Sequence, residues 1–291
     1  MARGWTIWMA FTGALLATDA AAESYEPGPP VSYDPLAEPD KGDEPATVAT
    51  SPEDDGPIED PVEDGHGAGL LNLSARATST AVTGGGDERG HFGLGVSGTM
   101  AVLHTDEGMS GRFTNDWHLG GGAGFEGRLR GALTFGYAPT VTNTPFIRAG
   151  IGGGLEGNDA FYFSHFELPV AEAGFHHSSD TFVLELGGRA AATLTSRYRG
   201  AFPTIRGGIE PSWGAFTTLF VGPIAFDATM MRIEQDLPVT AGWGHLCAAE
   251  YVTLCVDGAL YHATPRGEDV FTSYVGLSLG VGFSGPWSRE M

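Results

Sequence analysis

VFTSYVGLSLGVGF, Val270 to Phe283, alternates without a break. Val275, Leu277, Leu279, Val281 and Phe283 fall on one parity, and Tyr274, Gly276, Ser278, Gly280 and Gly282 on the other. A period of two over such a run specifies a β-strand with one apolar face and one small, polar face. A strand buried on both sides would carry hydrophobes on both parities. The pattern suits a strand whose large side chains meet lipid while its small ones face a lumen.

The same run resembles the C-terminal insertion signal of bacterial outer-membrane β-barrels. There a polar or aromatic residue and a glycine precede spaced hydrophobics that end in an aromatic, here Tyr274, Gly276, Leu279, Val281 and Phe283. In that family the aromatic usually closes the chain, whereas here eight residues follow Phe283. The resemblance implies an outer-membrane barrel inserted by the barrel assembly machinery. Its surroundings would be outer-membrane lipid and lipopolysaccharide, and its state a monomer.

Composition narrows the alternatives. Glycine supplies 45 of 291 residues, yet no Gly-X-Y repeat exists, which excludes collagen. An apolar content of 42% excludes disorder along the whole chain. The net charge of −21 is uneven, because Glu23 to His66 holds most of the excess, with a single basic side chain, Lys41. The remainder is mildly acidic and lacks the basic footprint that nucleic acid requires. It has no Lys/Arg cluster for anionic lipid either. Two cysteines, Cys247 and Cys255, flank AAEYVTL. With Tyr251 near a hairpin tip they would face each other across antiparallel strands, and an oxidising compartment then favours a disulfide. Two unpaired thiols are the alternative. Neither cysteine has redox or zinc spacing, so no metal and no cofactor is expected.

In order, residues 1–22 read as a signal peptide: Arg3, the apolar run WTIWMAFTGALLA, then Ala20 to Ala22 as a small-residue cleavage site. The apolar run falls short of the ~20 residues of a spanning helix. Residues 23–66 are rich in proline and acid and read as a disordered, self-repelling periplasmic linker. From residue 67 to 291 alternation takes over, as in Phe92 to Val102, Trp117 to Phe125, Ile147 to Leu155 and Phe182 to Ala192. The run from Trp117 to Tyr137 is too long for one ordinary strand, so a tight turn is expected near Glu126–Gly127. Strands of ~9–11 residues predict about twelve, with ten as the alternative, and lipid forces the sheet to close. The fold class is therefore all-β: a transmembrane, antiparallel, up-and-down β-barrel. A soluble β-sandwich would put Lys, Glu and Thr where this chain puts Gly, Ala and Ser. Trp117, Tyr137, Phe146, Tyr162, Trp213, Trp243 and Tyr261 are expected in interfacial girdles.

Three motifs carry chemistry on paper. GxGxxG occurs at Gly93, Gly122 and Gly152, but no helix follows to bring an N-terminus to phosphates, so these glycines belong to strands. Charges on the inward parity are Glu126, Arg128, Arg130, Arg148, Glu156, His165, Glu167, Glu185 and Arg189. Facing lipid, an Arg would cost about 2–4 kcal/mol at the midplane, so they are expected to line the lumen. There they either pair into a closed interior or border an aqueous path. Third, FHHSSD places His176 two residues before Ser178 and His177 two before Ser179, with Glu185 beyond. This resembles the His-x-Ser pair and Glu of lipid A deacylases and implies an outer-leaflet lipid-modifying enzyme as the alternative function. The favoured expectation is a structural barrel or small-solute pore without catalysis, and an adhesion or docking barrel is a third reading.

Overall fold

Alternation becomes a sheet because each parity meets a different medium. The computed structural model describes residues 65–84, 88–122, 124–199, 205–207, 209–234, 238–264 and 269–289. The expected signal peptide and nearly all of the linker lie outside them; strand structure begins at Gly65, two residues ahead of the expected boundary. The strands are β1 (Gly65–Gly84), β2 (Arg89–Asp106), β3 (Met109–Gly122), β4 (Phe125–Tyr137), β5 (Thr144–Gly157), β6 (Tyr162–Ser179), β7 (Phe182–Arg199), β8 (Ile205–Gly207), β9 (Glu210–Val221), β10 (Ile224–Ile233), β11 (Val239–Ala263) and β12 (Val270–Arg289).

Neighbours in sequence are neighbours in the sheet, and the ring closes through β6–β7 and β1–β12. The three-residue β8 pairs only with β7, so eleven continuous elements make the ring, β7 passing directly to β9. Every pairing between them is antiparallel. An odd ring cannot alternate direction throughout unless one element reverses, and β11 does. Its first arm pairs with β10 up to Ala248, and its second with β12 from Glu250. Tyr251 between them has φ 81°. The expectation of twelve strands is met only by counting these two arms separately. Cys247 and Cys255 join the arms by a disulfide, with Cα atoms 4.1 Å apart. A left-handed backbone costs a non-glycine residue about 1–2 kcal/mol. Tyr251→Gly is therefore expected to raise the denaturation midpoint by an amount worth up to about 1 kcal/mol.

The rims differ. The one that carries Gly65 and Arg289 has tight reversals at Glu107-Gly108, Asp180-Thr181, Gly222-Pro223 and Tyr251; we call it the terminal rim. The opposite, loop rim holds the connections after β1, β3, β5, β7, β10 and β11. β3 ends at Gly122 and β4 begins at Phe125, so the reversal comes ahead of the expected Glu126–Gly127. Glycine at 124 abuts the Asp159 carboxylate, leaving no room for a side chain there, whereas Glu126 already faces inward on β4.

Val275, Leu277, Leu279, Val281 and Phe283 are 53 to 63% exposed, while Tyr274 and Ser278 on the other parity are buried. β12 does not stop at Phe283: it runs on to Arg289 against β1, and Trp287 lies over Gly67 and Gly69. The outward band continues around the ring through Leu73, Leu94, Phe135, Ile147, Leu186, Met230 and Leu254. A closed sheet with an apolar outside and polar inside is the architecture of a transmembrane barrel. Among the described residues no helix is long and apolar enough to cross a membrane.

Candidate functional site: a charge-filled lumen sealed at both ends

Strand parity turns Arg, Glu, Asp and His inward, and the size of those side chains fills the space. All nine charged residues singled out from parity lie on the inner face, none more than 8% exposed. The structure adds Arg76, Arg112, Asp116, Glu172, His176, Asp227 and Asp257 to them. The same parity rule marks these: Arg76 follows Asn72 and Ser74 on the polar face of β1, and Arg112 precedes Asp116 and His118 on that of β3.

The charges form linked pairs across the lumen. Arg128 Nε donates to Glu156 at 3.1 Å, and its Nη1 donates to Asp116 and Asp257, both at 3.0 Å. Arg76 also pairs with Asp257, and Arg130 with Glu156 and the Tyr261 hydroxyl. Towards the terminal rim Arg148 holds Glu185 with two donors, at 3.1 and 2.8 Å, and lies 3.2 Å from Glu172. His176 shares Glu185 at 3.1 Å. Arg112 Nη2 reaches Asp227 at 2.8 Å, and Arg189 reaches Glu167 at 2.6 Å. A buried charge is tolerable only when paired and hydrogen-bonded; here Arg128, Arg148 and Arg112 each reach carboxylates on more than one strand, while Arg130 and Arg189 pair with a carboxylate on the neighbouring strand.

Glycine makes room for this. A side chain at Gly276 would collide with Arg76 and Asp257, one at Gly152 with Glu167, and one at Gly154 with His165. Two of these belong to an apparent phosphate motif, which is thus a steric cradle for the network.

An apolar cluster lies towards each end. At the loop rim Val82, Phe161, Phe163, Met231, Ile233 and Tyr261 pack in one cluster, with Phe161 and Phe163 rings 4.7 and 5.1 Å from that of Tyr261. At the terminal rim Leu70, Leu103, Val183, Phe220 and both cysteines form another, with Phe146 and Phe216 close by in a third. Cations cap these plugs: Arg148 lies 4.1 Å over Phe146, Arg112 4.6 Å over Phe216, and Arg128 4.2 Å over Tyr274. Three residues expected in girdles therefore sit inside instead: Phe146, Tyr261 and Trp243, the last partly buried beneath Arg130. Alternation places them on the inner parity, where a ring face can take a guanidinium. Tyr137 and Trp213 do face outward. Between the plugs is a cavity of about 50 Å³ bordered by Arg112, Asp116, Arg128, His165, Asp227 and Asp257.

The His-x-Ser pairs do not assemble. His176 and Ser178 point into the lumen, to Glu185 and the Val141 carbonyl, whereas His177 meets Asn143 and Ser179 Oγ donates to the Phe182 carbonyl. No histidine–serine hydrogen bond links them, and their hairpin turns at the terminal rim. A strand reverses its side chains at each residue, so of two adjacent histidines only one can face inward.

Outside the sheet, Asp269 accepts from His262 Nε2 at 3.0 Å and from Thr264 Oγ1 at 3.3 Å. The hydrogen bond from His262 holds its carboxyl below the usual aspartate range. The depressed value means that the pair's contribution is present above the ordinary aspartate range and lost as pH falls through the lowered one. A carbon-detected NMR titration should place Asp269 below ordinary aspartates, and His262→Ala should move it back towards them.

No family matches the chain, and no curated protein does. Solved structures similar to it include Pseudomonas aeruginosa OccK11 (OpdR), at 7% identity and a TM-score of 0.35, covering 75% of this chain and 96% of that one. The NanC porin matches at 10% and 0.34, covering 71% and 100%. The translocator domain of the autotransporter NalP from Neisseria meningitidis matches at 12% and 0.30, covering 78% and 90%. Likenesses at this level carry no functional weight.

Proposed function

We propose that this chain is a non-catalytic outer-membrane β-barrel whose lumen is shut in the conformation described. The observation that carries the proposal is the interior: paired charges at mid-height, an apolar plug at each end, and a cavity of about 50 Å³. Such a volume accommodates a few waters. The outer membrane as its place is supported by the outward apolar band and by the resemblance of Tyr274 to Phe283 to an insertion signal. Lipid and lipopolysaccharide would then contact that band, and the assembly machinery would read β12. A small-solute pore is the second reading. It is favoured by charges of both signs around the central cavity, which would become a constriction if the plugs moved.

Conductance of the refolded protein in a planar bilayer is the test. Protein that is heat-modifiable on a gel, hence folded, is expected to give no steps. Sustained, salt-dependent steps from the unaltered chain would remove the closed-barrel reading and leave the pore.

A further inference from the structure

We propose that Glu126 and His118 form a buried proton-binding site whose shared proton clasps β1 to β4 near the loop rim. Four successive strands converge on one carboxylate. Glu126 Oε2 accepts from Thr78 Oγ1 of β1 at 2.6 Å and lies 3.3 Å from His91 Nε2 of β2. Glu126 Oε1 lies 3.3 Å from His118 Nε2 of β3. The backbone leaves space for the carboxylate at Gly93, where any side chain would strike it.

His118 fixes the proton count. Its Nδ1 lies 3.2 Å from the Val96 carbonyl oxygen, which can only accept, so Nδ1 carries a hydrogen. In a neutral ring Nε2 is then a bare acceptor, and it faces a carboxylate oxygen that is also an acceptor. Both atoms are buried and have no other hydrogen-bond partner. Two opposed lone pairs at that distance, shielded from water, repel. One proton between them removes the conflict, as imidazolium with carboxylate or as imidazole with carboxylic acid. The nearby cations are committed elsewhere: Arg76 and Arg128 stack on Tyr274, which lies within electrostatic reach of Glu126, and pair with Asp257. The histidines are therefore the counter-charge of Glu126.

The clasp weakens on both sides of an optimum. On the alkaline side the closed site retains a proton that an open, hydrated site has released, so closure is lost as pH rises, by about tenfold per pH unit for one proton. On the acid side the open site takes up more protons than the closed one, so closure is lost as pH falls.

Amide hydrogen exchange in the loop-rim ends of β1 to β4 of the refolded protein tests this, from about pH 4 to about pH 9, across the ordinary carboxylate and imidazole ranges. After correction for intrinsic rates, opening is expected to pass through a minimum. In Glu126→Gln the amide donates to His118 Nε2 without an extra proton, so the alkaline limb should flatten. Superposable limbs in the two proteins overturn the proposal. If the variant does not fold, ¹⁵N shifts of His118 in the unaltered protein decide: a neutral ring protonated only at Nε2 overturns the site. Protection restored at alkaline pH by added zinc, and removed by a chelator, would assign the site to a metal and overturn it too. The clasp belongs to the barrel whether or not the lumen conducts, so conductance does not bear on it.

Discussion

Arg128→Met is expected to destabilise the refolded barrel by about 3–5 kcal/mol, the cost of breaking a buried ion pair by removing one partner. Methionine keeps much of the apolar stem but none of the donors. Asp257 would retain Arg76, and Glu156 would retain Arg130. Asp116 has no second cation within ion-pair distance, since Arg128 is its one such partner among the described residues. The stranded carboxylate dominates the loss, and the stacking on Tyr274 goes with it. The measurement is the denaturant midpoint in lipid vesicles, followed by tryptophan fluorescence. Asp116→Asn added to Arg128→Met should recover part of the stability, because it removes the unpaired charge. A single variant within about 1 kcal/mol of the original protein would mean that water already reaches Asp116 and screens it.

The second large effect concerns the plugs, which act in series. Truncating the loop-rim plug alone, with Phe161→Ala, Phe163→Ala and Tyr261→Ala, is expected to leave the barrel silent in a bilayer. Leu70, Leu103, Val183 and Phe220 still close the terminal rim. Adding Leu70→Ala and Phe220→Ala should produce discrete steps if the charged layer hydrates once its apolar lids are gone. The current should then depend on salt as expected for a constriction lined by both signs of charge. Steps from the loop-rim variant alone would show that the terminal-rim plug does not seal. Silence from the combined variant, still heat-modifiable, would place the block in the Arg–carboxylate layer itself.

Much of the barrel was legible because the rule that encodes it is local. Side chains alternate across a strand, so Val275 to Phe283 and Tyr274 to Gly282 declare their faces two residues at a time. That rule places the nine lumen charges, and it marks Arg76, Arg112 and Asp257 equally. Aromatic residues were less legible. Residue type points Tyr261 and Phe146 to the membrane interface, whereas parity puts both inside, where Arg148 lies over the Phe146 ring and Arg130 donates to the Tyr261 hydroxyl. The β11 reversal was half visible, in the two cysteines about Tyr251.

Alternation alone establishes that the chain forms long strands with a lipid-like face and a polar face, and that such a sheet has to close. Which inward side chains meet across the lumen follows from the three-dimensional fold. Arg128 of β4 meets Asp257 of β11, 129 positions away. Glu126 draws on β1, β2 and β3 at once. Such meetings depend on the stagger between strands and on how far each side chain reaches across the lumen. A period of two residues carries neither quantity.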